Sequence, residues 1–120
     1  MTDSLRLTLV APASARLGAA VPIVLRLQNT SARPAEAHFL GRAIAFDIVV
    51  VDSTGAVVWQ RLAHETGQSI LQIRMLAAGE AMEWRDAWVP QAAGRYRIQG
   101  ILPSDDAEPR RTEWVTLEVR

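Results

Sequence analysis

Hydrophobic and polar residues alternate with a period of two along almost the whole chain, and no segment sustains the 3.6-residue period of an amphipathic helix. Leu5, Leu7 and Leu9 alternate with Arg6 and Thr8, which predicts a first strand with one buried face. Pro12 to Gly18 reads as a connector. Val21, Ile23, Leu25 and Leu27 then alternate with Pro22, Val24, Arg26 and Gln28, again one face in and one face out. Pro22 lacks an amide hydrogen, so it belongs at the start of that strand or on an edge. Asn29-Thr-Ser-Ala-Arg-Pro34 supplies loop chemistry, and a short strand from Ala35 to Phe39 ends near Gly41.

Phe46 to Val51 and Ala56 to Trp59 flank Asp52-Ser-Thr-Gly55, the pattern of a hairpin whose Gly can take positive φ. Gln60 to Ser69 is polar and mixed, and reads as a long loop with at most one helical turn. Ile70 to Leu76 is apolar enough for a strand. Turns at Ala77-Ala-Gly-Glu80 and Pro90 to Gly94 lead into strands bearing Met82, Trp84 and Trp88, and then Tyr96, Ile98 and Gly100. After a loop at Pro103-Ser-Asp-Asp-Ala-Glu-Pro109, a last strand from about Thr112 to Val119 puts Val115, Leu117 and Val119 on one face and Trp114 on the other. Eight or nine short strands, separated by turns at regular intervals, predict an all-β, immunoglobulin-like antiparallel β-sandwich. Gly94-Arg-Tyr96 is placed as a tyrosine corner would be, with the hydroxyl bonding back to upstream backbone. No repeat or boundary interrupts the pattern, so residues 1–120 are expected to form a single domain with an ordered core from about 4 to 120.

Composition narrows the function classes. Thirteen basic and thirteen acidic residues cancel, which argues against a nucleic-acid or anionic-membrane surface. All the basic residues are Arg. There is no Cys, hence no disulfide framework and no thiolate zinc site, and this fits a reducing compartment. Met1-Thr-Asp-Ser-Leu-Arg6 lacks the basic start and apolar run of a signal peptide, and no apolar stretch approaches membrane-spanning length, so a cytoplasmic location is expected.

Each candidate for chemistry has a structural explanation. Asp52-Ser-Thr-Gly55 resembles an aspartic-protease loop, but the spacing is off by one and no second loop supplies the paired carboxylate, so a turn is expected. His38 and His64, the only two histidines, lie in no ligand-spaced motif. His38 is expected to face solvent from a strand, and His64 to lie in the long loop. No Gly-x-Ser-x-Gly elbow or phosphate-cradling loop is found. Asn29-Thr-Ser31 matches a glycosylation sequon, yet reads better as a loop in which Asn29 bonds its own backbone. No catalytic, cofactor-binding or metal residues are expected, and the chain is not expected to be an enzyme. Of four Trp, Trp59 and Trp84 are expected inside, and Trp88, beside Val89-Pro90 at a strand end, partly exposed and available to a partner.

In chain order, Phe46-Asp47-Ile48-Val49-Val50, Asp52-Ser-Thr-Gly55, Val58-Trp59, Gln72, Leu76-Ala-Ala-Gly79-Glu80, Trp84 with Trp88, and Gly94-Arg-Tyr96 resemble the BsuPI-type intracellular proteinase inhibitors. Leu25-Arg-Leu27-Gln-Asn29 also suits that family's strand ending in Asn, so the resemblance covers most of the chain. Gln60 to Ile73 departs from it, carrying no aromatic residue where the family tends to have some. The resemblance implies an immunoglobulin-like fold and inhibition of an intracellular subtilisin-like serine protease. Inhibition without chemistry means binding: an exposed loop enters the protease cleft as an extended strand, in a contact burying about 1,600 Å². Gln60 to Ser69 is the first candidate, with Leu62 as apolar anchor between Arg61 and His64. Pro103 to Arg111, with Asp105 and Asp106, is the second, its prolines limiting the entropy lost on binding. The alternative is a noncatalytic interaction module with no protease target, pairing through a sheet edge or the Trp88 region, in the simplest case weakly with a second copy of itself.

Overall fold

A pleated strand puts every second side chain on one face, so alternating aliphatic residues gain a buried surface by extending. The computed structural model, which describes residues 4–63, 70–105 and 108–120, follows that rule in nearly every element. In chain order the strands are β1 (Leu5–Val10), β2 (Ser14–Ala15), β3 (Val21–Asn29), β4 (Ala35–Leu40), β5 (Asp47–Val51), β6 (Val57–Gln60), β7 (Leu71–Leu76), β8 (Ala81–Trp88), β9 (Gly94–Leu102), β10 (Arg110–Arg111) and β11 (Val115–Val119). Among the described residues, nine strands have four residues or more, matching the expected eight or nine; β2 and β10 are two-residue additions.

Two sheets face each other. The first is β1–β3–β8, antiparallel throughout. The second runs β2–β11–β9–β5–β6, with β10 also on β9; its pairs are antiparallel apart from β2 beside β11. A separate ribbon, β4–β7, resumes the β3–β8 ladder past Asn29 and the 77–80 turn. Val21, Ile23, Leu25 and Leu27 of β3 meet Ile48, Val50, Ile98 and Leu117 from the other sheet in one buried cluster, which Phe39 and Leu76 of the ribbon join. Each such aliphatic side chain contributes about 1.5–3 kcal/mol by leaving water. Pro22 is the second residue of β3, beyond the last β1 pair at Val10 and Val24, where its missing amide breaks no β1 bond.

The turns are held by side chains that bond backbone. Asp52 Oδ1 accepts from the amides of Thr54 and Ala56 and from the Thr54 hydroxyl, and Gly55 takes φ 88° to close the hairpin. Tyr96 Oη donates to the Ala92 carbonyl at 2.6 Å, the expected tyrosine corner. Asn29 does more than bond its own loop. Fully buried, it accepts from Ser31 N through Oδ1 and donates through Nδ2 to the carbonyls of Arg33, Leu76 and Ala77. Its own N–H donates to the Glu80 carbonyl and its own carbonyl accepts from Gly79 N across the same gap, so the end of β3 and the 77–80 turn form one unit. Glu80 completes that turn, its carboxylate accepting from Ala77 N at 2.8 Å.

Two aromatic expectations need correction. Trp88 is 7% exposed, not offered to a partner, because β8 holds it in register with Val21 and its ring packs edge-on against Tyr96 at 5.0 Å. Trp59 and Trp84 are half-buried, packed against the core rather than within it. Trp114 does lie outside, opposite Leu117 and Val119 in parity.

Candidate binding surface

The connection between β6 and β7 is built on two residues that the sequence presents as strand material. Asp47 opens β5, yet its carboxylate is buried because it receives three donors: Ile48 N and Leu62 N on Oδ1 and the Gln60 amide on Oδ2, at 2.7–2.9 Å. Phe46, just before it, receives Arg61 twice. The Arg61 guanidinium stacks 3.7 Å from the Phe46 ring centre, and its Nη1 donates to the Phe46 carbonyl at 2.8 Å. Arg61 Nε donates to Asp86 Oδ2 at 2.7 Å. Asp86 lies between Trp84 and Trp88 on the sandwich side of β8, an inward charge of the kind that discourages edge-to-edge pairing. Phe39, Trp84 and Phe46 complete a ring cluster, with centroids 5.8 and 6.3 Å from Trp84.

Arg61 is therefore committed to the protein itself and positions the connection from below. Leu62 is half-buried, its amide held by Asp47, and Ala63 is exposed. His64 lies outside the described residues, as does Asp106.

Beyond the connection, β7 presents an unexpected face. Pairing with β4 turns Ala35, Ala37 and Phe39 inward, opposite Leu76, Arg74 and Gln72. The other face of the ribbon must then carry Leu71, Ile73 and Met75, and these are 43, 54 and 60% exposed, with Ile70 at 45% beside them. A stripe of large apolar side chains at every second position thus faces outward. Among the described residues β7 has β4 as its one strand neighbour, so its outer edge is unpaired. Sequence reasoning identified the strand but not its orientation: periodicity shows that alternate residues share a face, and the register with β4 decides which face is buried.

The same outer face holds His38, which is half-buried and not simply solvent-facing. Its Nε2 lies 2.7 Å from Glu36 Oε2 and its Nδ1 2.8 Å from Asp105 Oδ1. Those two carboxylates, Glu36 foremost, raise its pKa above the ordinary histidine value. Asp105, expected to be free for a partner, thereby ties the start of the 103–109 segment to β4. No three His, Asp or Glu side chains among the described residues are arranged to hold a metal ion.

A two-sheet immunoglobulin-like scaffold that presents a clamped connection and a free apolar strand belongs to the class of binding proteins. Solved structures bear out the fold. A CARDB domain from Pyrococcus furiosus, determined in solution, matches at a TM-score of 0.55 and 11% identity over 97% of this chain and 94% of that one. The crystal structure of that domain in complex with di-metal ions gives 0.53 at 11% identity, over 97% and 87%. A β-glucosidase from Listeria innocua, in complex with isofagomine, gives 0.51 at 14% identity, over 96% of this chain and 16% of the enzyme. At these identities the likeness concerns the fold alone. No curated protein sequence matches the chain. The pattern that defines the BsuPI family, intracellular proteinase inhibitor, matches residues 9–107, and the chain belongs to that family. It is an inhibitor-family protein, not an enzyme, and a protease is its partner class.

Proposed function

We propose that this protein is a single-domain cytoplasmic inhibitor of a subtilisin-like serine protease, binding noncovalently through the end of the β6–β7 connection and the outer face of β7. The observation that carries the reading is the unpaired β7 edge with Leu71, Ile73 and Met75 exposed in alternation. Serine proteases receive substrates as extended strands, and a strand already extended and unpaired meets that requirement with little further ordering. Leu62 begins the connection that leads to β7, its amide held by Asp47. The 103–111 segment is the second candidate, with Asp105 at its tied end.

An inhibition assay against intracellular subtilisins tests this. Wild type is expected to inhibit, and Ile73→Asp with Met75→Asp to weaken inhibition about a hundredfold, as for the loss of two interface anchors. Leu62→Asp should weaken it as well. Unchanged inhibition by both variants moves the contact to 103–111, which Gly/Ser replacement of residues 104–108 then checks. No inhibition by the wild type overturns the reading.

A further inference from the structure

The side of the sandwich away from Phe46 and Arg61 carries a concave feature. Phe46 and Arg61 meet β8, so the β6 side of one sheet lies over the β8 edge of the other. The other side is formed by β1 and by the chain entering β11. Between them is a cleft of about 270 Å³, lined in part by Arg6, Leu7, Leu9, Arg111, Trp114 and Val115. That volume falls just below the usual range of enclosed small-molecule sites, roughly 300–1,000 Å³, and suits a few side chains of a longer ligand better.

Both walls are strand edges. Among the described residues β1 pairs with β3 alone. β2 accompanies β11 only at Glu118 and Val119. The amides of Glu118 and Arg120 donate to Ala13 and Ala15 on that side, so the backbone of Thr116, of the same parity, points the same way, with no strand beside it among the described residues.

The charge is one-sided. Arg26, Arg85, Arg95 and Arg120 each hold a glutamate on the sheet surfaces. Arg6, Arg97 and Arg111 are exposed and have no carboxylate partner among the described residues. Arg97 lies 5.3 Å from the centre of the Trp114 ring, which is 42% exposed. Among the described residues Glu113 is the one carboxylate lining the cleft. An exposed Trp among unpaired guanidiniums, over an apolar floor and beside free backbone, is complementary to an extended chain that alternates carboxylates with apolar residues.

We infer that this cleft binds an extended acidic peptide segment of a partner protein. The segment adds to the free edge at Thr116, lays an apolar side chain between Trp114 and Leu7, and meets Arg6, Arg97 and Arg111 with its carboxylates. A nucleic acid is disfavoured because the chain carries no net positive charge to draw a phosphate backbone.

The test uses the full chain and a fluorescent peptide alternating Asp or Glu with Leu and Val, beside an Asn/Gln version of the same peptide. The acidic peptide should bind with an affinity that falls as salt rises, and should shift the Trp114 indole and Thr116 amide signals in NMR spectra. Arg6→Glu with Arg97→Glu is expected to weaken binding about tenfold or more. Trp114→Ala should weaken it too, and these exposed changes should leave both the unfolding temperature and protease inhibition unaltered. Equal binding of the two peptides, no binding at millimolar concentration, or tighter binding of a single-stranded oligonucleotide each overturns the inference.

Discussion

Asn29 shows how much structure one amide can organise. Its Nδ2 donates to three carbonyls from two separate turns, and its Oδ1 turns the chain at Ser31, with no part of the side chain in contact with water. Asn29→Ala would leave those carbonyls buried and unmet, a loss expected at about 2–4 kcal/mol in urea denaturation. Asn29→Asp should be worse at neutral pH, because a carboxylate cannot donate and would face the same carbonyl oxygens. Asp47 plays the corresponding part for the β6–β7 connection, accepting from Gln60 and Leu62. Asp47→Asn keeps the size but puts an NH₂ where one set of donors converges. It should loosen residues 60–62 in hydrogen exchange while leaving the β3–β8 amides protected.

Elements differ in how much of them could be read from the sequence. β3 was legible in full, face included, because its apolar set runs unbroken from Val21 to Leu27. The Asp52–Gly55 hairpin and the Tyr96 corner were legible too, since their chemistry is local in the chain. β7 was legible as a strand only; its orientation depends on β4, more than 30 residues earlier, and Phe39 wins the interior over Ile73 and Met75. The anchors Asp47 and Arg61 were hidden for a similar reason, as their partners are 13 to 25 residues away. An unpaired strand is also open to its own kind. In antiparallel register centred on Ile73, two copies of β7 would oppose Leu71 to Met75 and Gln72 to Arg74, with no like charges facing. Light scattering at high concentration is expected to show a minor dimer that Ile73→Arg removes. A strict monomer there sets the self-pairing aside.

At the scale of the whole molecule, charge is arranged in small exposed pairs whose pH responses run in opposite directions. The folded pKa of His38 is raised by Glu36 and then Asp105, so its contribution is complete below the unfolded value and is lost as pH rises through the folded one. The tie between β4 and the 103–105 segment should therefore loosen on the alkaline side of about 6.5. An NMR titration should place His38 above that value, and His38→Gln should abolish the change in the 103–105 amides. Glu83, held low first by Arg26, and Glu118, held low first by Arg95, act the other way. Their contribution is present above the unfolded carboxylate pKa and disappears as pH falls through the lowered values. All lie at the surface, where solvent screens such pairs strongly, so stability should vary gently with pH while the segment at Asp105 responds locally.

The burial of Asn29 also decides the fate of its Asn-Thr-Ser sequence in a foreign compartment. The nitrogen that would carry a sugar is the one donating to Arg33, Leu76 and Ala77 inside the protein. A glycosyltransferase can reach it only before the chain folds, and a glycan added then would hold the end of β3 away from the 77–80 turn. Produced through a eukaryotic secretory pathway, this protein should emerge as two populations: one bare and folded, the other glycosylated at Asn29 and unable to close its own core.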